Sequence, residues 1–202
     1  MVRPARSRAS GAALVTVLFV LVAVLIVALS AAHAALNAEK SARSERDRHV
    51  AMQAAEAALA DAERDIEAAG ANAARNDMFA PGSALGFVEG CGRDVANLGL
   101  CSMVGPPGIP AWQAVALDAA DAAAAGVVPY GRFTGATLPV GGGPLPVRLP
   151  RYIIELMPYP RAGEDASRAA PNFYRITAIG FGAIPSTRVV LQSFYRKATE
   201  SP

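Results

Sequence analysis

The chain is poor in the residue types that catalysis and metal binding draw on. It holds two histidines and two cysteines in 202 residues. His33 and His49 cannot be matched by spacing to a serine, a cysteine and an acid as a triad. The one glycine run, Gly141-Gly142-Gly143, leads into Pro144 rather than Lys-Ser/Thr, which excludes a phosphate-cradling loop. Glu164-Asp165 reads as a solvated loop pair, without the separation that two catalytic carboxylates need. Two sulfurs with no histidine nearby cannot fill a tetrahedral zinc site. The expectation is a protein that is not an enzyme and has no metal or other cofactor. Charge is also nearly balanced, 19 basic against 17 acidic residues for a net +2. These are spread along the chain and form no basic patch of the kind that binds nucleic acid.

A second absence is more informative. Between Arg8 and His33 no side chain ionises, and from Ala12 to Leu29 only Thr16 is not frankly apolar. As a helix, Ala12 to Ala32 would span roughly 30 Å, the thickness of a bilayer's hydrocarbon core. Arg3, Arg6 and Arg8 all precede the run. That asymmetry predicts a cytoplasmic N-terminus and an exported remainder. A cleaved secretory signal competes, because Ala32-His33-Ala34 fits the small-x-small cleavage pattern. Against it, the apolar core of about 18 residues exceeds an ordinary signal core.

Proline and glycine are missing from Ser30 to Ala69, where alanine, glutamate and arginine dominate. All three favour helix. Met52, Ala55, Leu59, Ala62, Ile66 and Ala69 recur at alternating spacings of three and four, so they share one helical face. Asp61, Glu63, Arg64, Asp65 and Glu67 are expected on the other faces. Glu39 with Arg43, and Arg43 with Asp47, add i,i+4 support. Gly70 and Asn72 offer a stop. One helix from about Ala12 to Ala69 follows, near 87 Å long by its rise. An anchor followed by a separate coiled coil is the alternative. An alanine-rich stripe this short suits packing on a sheet of the same chain better.

After the apolar run about 170 residues remain, enough for one modest domain and hardly two. Residues 71–150 are punctuated by Gly105-Pro106-Pro107-Gly108 and by Gly141 to Pro146, which mark turns and loops. A short helix is expected over Ala114 to Ala125, and Trp112 is expected to anchor the loop region. Cys91 and Cys101 lie in the exported part, where a disulfide is the simplest reading. Two free buried thiols are the alternative. Three strands close the chain, at 151–157, 172–181 and 187–196, with β-branched and aromatic residues alternating with polar ones. Their expected buried face carries Tyr152, Ile154, Leu156, Ile176, Ala178, Val189 and Leu191, leaving Glu155, Arg175 and Gln192 outward. The fold class is α+β, a long N-terminal helix packed on a small antiparallel sheet. Its parts are a leader at 1–11, a transmembrane half-helix at 12–34, an amphipathic half-helix at 35–70, a loop region at 71–150 and a sheet at 151–202.

A short basic leader, a glycine, then an apolar helix that turns amphipathic resembles the layout of type IV pilins and pseudopilins. Several stretches resemble the minor pilin PilX family in particular. They are Gly11-Ala-Ala-Leu-Val-Thr16, Ala51-Met-Gln-Ala-Ala-Glu-Ala-Ala-Leu-Ala-Asp-Ala-Glu63 and Gly99-Leu-Cys101 with Pro110-Ala-Trp-Gln113. Pro150-Arg-Tyr-Ile-Ile-Glu155, Tyr174-Arg-Ile-Thr-Ala-Ile-Gly180 and Val190-Leu-Gln-Ser193 extend the likeness to the C-terminal end. The resemblance implies a prepilin cut by prepilin peptidase after Gly11 and N-methylated on Ala12. It implies inner-membrane lipid, other minor pilins and the major pilin as partners, and roles in pilus assembly, twitching motility and cell adhesion. Major pilins carry glutamate at the fifth mature residue, where it pairs with a neighbour's terminal amine. Thr16 stands there instead. A tip or priming subunit has no neighbour above it to neutralise, and a buried carboxylate would only cost desolvation. Two other roles are open: an adhesin-like tip module reading ligands through residues 104–150, and a tip pseudopilin of type II secretion.

Overall fold

A computed structural model describes residues 12–67, 73–103, 109–157 and 172–197. Helix α1 runs from Ala12 to Ile66, and short helices α2 (Ala73–Asn76) and α3 (Ala111–Ala114) follow. Six strands make one sheet: β1 (Val88–Glu89), β2 (Leu100–Ser102), β3 (Val128–Pro129), β4 (Arg151–Met157), β5 (Phe173–Phe181) and β6 (Arg188–Arg196). The chain divides into two units, residues 1–45 and 46–202. The proposed helix stop at Gly70 and Asn72 and the Glu164-Asp165 pair lie outside the described residues.

The expected α+β fold is present. β4, β5 and β6 form the antiparallel meander that their alternation predicts, with Tyr152 opposite Ala178 and Ile176 opposite Ser193. The sheet as a whole is mixed, because short strands outside the C-terminal meander extend it. β1 and β2 join β4 in parallel, in the order β1-β2-β4-β5-β6, while β3 pairs with β4 antiparallel. These additions are two or three residues long. So short a strand shows no alternation to read.

Two cores follow from the sheet's two faces. On one, Ala58, Ala62 and Ile66 of α1 meet Tyr152, Ile154, Tyr174, Ile176 and Ala178, with Phe79, Phe87 and Phe133 closing the cluster. Phe79 and Phe87 pack on Tyr174 at ring-centroid distances of 5.7 and 5.9 Å. The opposite face carries Ile153, Ile179 and Phe181 against Cys91, Cys101, Ala111, Leu117, Ala122 and Val127, with Trp112 packed at the margin. The sheet is therefore covered on both sides, and Glu155 is buried rather than outward as expected.

The packed face of α1 is rotated from the expected stripe. Ala51, Ala54, Ala55, Ala58, Ala62 and Ile66 are buried, whereas Met52 is 41% exposed. The cause is a close approach of backbones. A methyl group on Gly180 of β5 would lie 2.0 Å from the Ala51 carbonyl oxygen and 2.4 Å from the Ala55 nitrogen. Only hydrogen on the strand and alanine on the helix fit that contact. The helix expected over 114–125 is also replaced, by α3 and a run of turns. There the Arg151 guanidinium donates to the carbonyls of Leu117 and Ala119, acceptors that a helix would have used itself.

Candidate functional site

In the first unit, the described part of α1 is exposed along its whole length. The mean hydropathy of its most apolar window is 3.2, and none of that window is buried. Leu14 and Phe19 are about three-quarters exposed. Leaving so many large apolar side chains in water would cost on the order of 1.5–3 kcal/mol each. This half-helix is long and apolar enough to cross a membrane. Gly11 lies outside the described residues, and Ala12 opens α1. One turn on, the Thr16 hydroxyl donates back to its own helix, 2.9 Å from the Ala13 carbonyl oxygen and 3.2 Å from that of Ala12. Back-bonding of this kind lets a hydroxyl sit in apolar surroundings without another partner. Thr16, Val17, Val20, Leu21 and Val24 line a shallow apolar furrow.

In the second unit, α1 is held to the sheet and loops by three buried aspartates. Asp47 Oδ1 accepts the backbone N–H of Ala183 at 2.6 Å and of Ile184 at 3.2 Å, in the β5–β6 turn. Asp61 accepts the N–H of Gly131 at 2.7 Å and the hydroxyl of Thr134. Gly131 has φ +75° and would place a Cβ 1.9 Å from the Ala136 carbonyl oxygen, so this turn requires glycine. Asp65 takes a two-pronged bond from Arg75 at 3.0 and 2.8 Å and the Tyr152 hydroxyl at 3.1 Å. Arg75 also donates to the carbonyls of Ala96 and Leu98, and its guanidinium lies 3.7 Å from the Phe133 ring centre. Burial pushes the Asp65 carboxyl above its ordinary value, with Arg75 pulling the other way. Burial likewise drives the Tyr152 hydroxyl well upward, reinforced by the Asp65 charge.

These contacts correct the expectation that Asp61 and Asp65 face outward. Asp61 and Asp65 lie 14 and 18 residues beyond Asp47, near whole numbers of helical turns, and the three flank the buried alanines. The alanines carried the missing signal, because a face that approaches a sheet this closely is built from alanine as well as from larger apolar residues. Behind the sheet, Glu155 pairs with Arg175 at 2.6 Å and accepts the Ala111 N–H at 3.1 Å. Cys91 and Cys101 are joined in a disulfide, as the exported context led us to expect.

A long N-terminal apolar helix followed by strands of one mixed sheet is the arrangement of a pilin-like α+β fold. Comparison with protein families agrees. The description "Type IV pilus assembly protein PilX C-term" matches residues 66–197, and "PilX N-terminal" matches residues 10–60. The chain belongs to the PilX family and is a type IV pilus minor pilin. Neither the curated proteins nor the solved structures contain a match to it.

Proposed function

We propose that this minor pilin primes pilus assembly and occupies the tip of the fibre. The observation that carries the reading is Thr16, a hydroxyl bonded within its own helix where bulk subunits of this class carry a glutamate. Such a subunit brings no carboxylate to neutralise the amine of a subunit stacked above it. It loses nothing at a position where no such subunit exists. Prepilin peptidase cuts after Gly11 and the new Ala12 amine is methylated. Before that cut the leader arginines hold the N-terminus on the cytoplasmic side, and the apolar half-helix waits in the inner membrane with the head in the periplasm. It then passes from lipid into a bundle with other minor pilins and the major pilin. Apolar surface leaves one apolar environment for another, so the transfer is close to neutral in free energy and a motor elsewhere can drive it. The chemistry is assembly, with no catalytic step in this chain.

Immunogold labelling of an epitope-tagged, complementing copy tests this reading. Label at single fibre ends, with piliation lost in the deletion strain, is the expected result. Label spread along the fibres would overturn the tip assignment.

A further inference from the structure

β6 is the last strand in the sheet order, and among the described residues β5 is its one neighbouring strand. The Gly182 N–H donates to the Thr187 carbonyl at 2.9 Å, which fixes the phase of this antiparallel ladder. Hydrogen-bonded pairs alternate along it. With the register Gly180 to Val189 and Ala178 to Leu191, the residues bonded to β5 are Val189, Leu191, Ser193 and Tyr195. The N–H and C=O groups of Val190, Gln192 and Phe194 then point away from the sheet, and no hydrogen bond occupies them among the described residues. Their side chains share the face turned from α1, where Val190 is 47% and Phe194 58% exposed. Phe173 of β5 stacks on Phe194 with ring centres 5.7 Å apart. Long edges of this kind are usually blunted by proline, a bulge or a central charge. β6 has none of these between Arg188 and Arg196.

We propose, building on the minor-pilin reading, that the β6 edge receives a strand from a different pilus subunit by β-strand addition. The charges select the occupant. Two copies pairing antiparallel about Gln192 would set Arg188 against Arg196 at both ends, and like charges directly opposite destabilise a sheet. Arg188 already has Asp118 beside it, whereas Arg196 has no ion-pair partner among the described residues. The fitting strand carries a carboxylate opposite Arg196 and apolar side chains opposite Phe194 and Val190.

The test uses the full chain in a deletion strain where the wild-type copy restores piliation, so that a negative result bears on β6 and not on the minor-pilin reading. A photoreactive phenylalanine analogue replaces Phe194, with Val95, 73% exposed and remote in sequence, as the control position. The expected product is an adduct whose cross-linked peptide belongs to another pilus subunit and bears an acidic residue within an apolar stretch. Gln192→Pro removes one outward N–H while leaving the bonds to β5, and Arg196→Glu reverses the end charge without touching the ladder. Each should cut the adduct at least tenfold. An adduct only with a second copy, a yield no higher than at Val95, or a yield unchanged by both substitutions overturns the proposal.

Discussion

Arg75 is the side chain whose loss should be felt most. Its side chain is 2% exposed and Asp65's is 3%, so each neutralises a charge that water cannot reach. Replacing Arg75 with methionine strands the Asp65 carboxylate, and breaking a buried pair in this way costs about 3–5 kcal/mol. Asp65→Asn with Arg75→Met together should recover a large part of that loss, because two uncharged groups leave no unpaired ion. Urea unfolding of the detergent-solubilised protein, followed by Trp112 fluorescence, measures both, and additive losses would contradict this assignment. Thr16 supports a second prediction. On the proposed tip role, Thr16→Glu puts a carboxylate where no amine meets it, and the number of fibres per cell should fall several-fold at unchanged protein level. Undiminished piliation would count against the tip role. Thr16 could be singled out in the sequence because it interrupts an apolar run. Asp61 and Asp65 could not, since a charged residue among charged residues reads as solvent-facing until its partner, here Gly131 or Arg75, is brought up by a distant loop.

At the level of elements, the long helix and the three closing strands were legible because their periodicities persist over many residues. β4 spans seven residues and β5 and β6 nine each. The parallel additions β1 and β2 were not legible, because what places them is the Gly92 and Gly99 turn, bonded at Gly99 N–H to Gly92 carbonyl 3.1 Å, beside the Cys91–Cys101 crosslink. That crosslink closes a loop with a sequence separation of 10. Its removal as Cys91→Ala/Cys101→Ala should cost about 2–3 kcal/mol by loop entropy. The seam between α1 and β5 is tighter still. Gly180→Val would force the strand off Ala51 and Ala55, and overpacking of this sort costs about 1–3 kcal/mol. A variant as stable as the parent, judged by the urea midpoint, would show that the helix and strand backbones are not in the contact described.

Across the whole molecule, three tyrosines tie stability to alkaline pH. Burial raises the Tyr174 hydroxyl to about 12, and the hydrogen bond to Glu67 raises that of Tyr195 to about 12. Tyr152 is also shifted upward, chiefly by burial. In the unfolded chain these groups ionise near their ordinary value of 10. The folded state therefore holds protons that the unfolded state has released. The stability linked to them is fully present below pH 10 and is lost as pH rises toward 12. The urea midpoint should decline through that window, and Tyr174→Phe with Tyr195→Phe should flatten the decline. A midpoint that stays level from pH 10 to 12 in the parent would contradict the shifts.

The proposed function rests on α1 keeping its apolar half in the mature protein. Mass spectrometry of the mature N-terminus, on protein recovered from sheared fibres, tests that most directly. A chain beginning at N-methylated Ala12 is the expected result. A chain beginning at Ala35 would mean that the apolar half-helix had been discarded as a secretory signal.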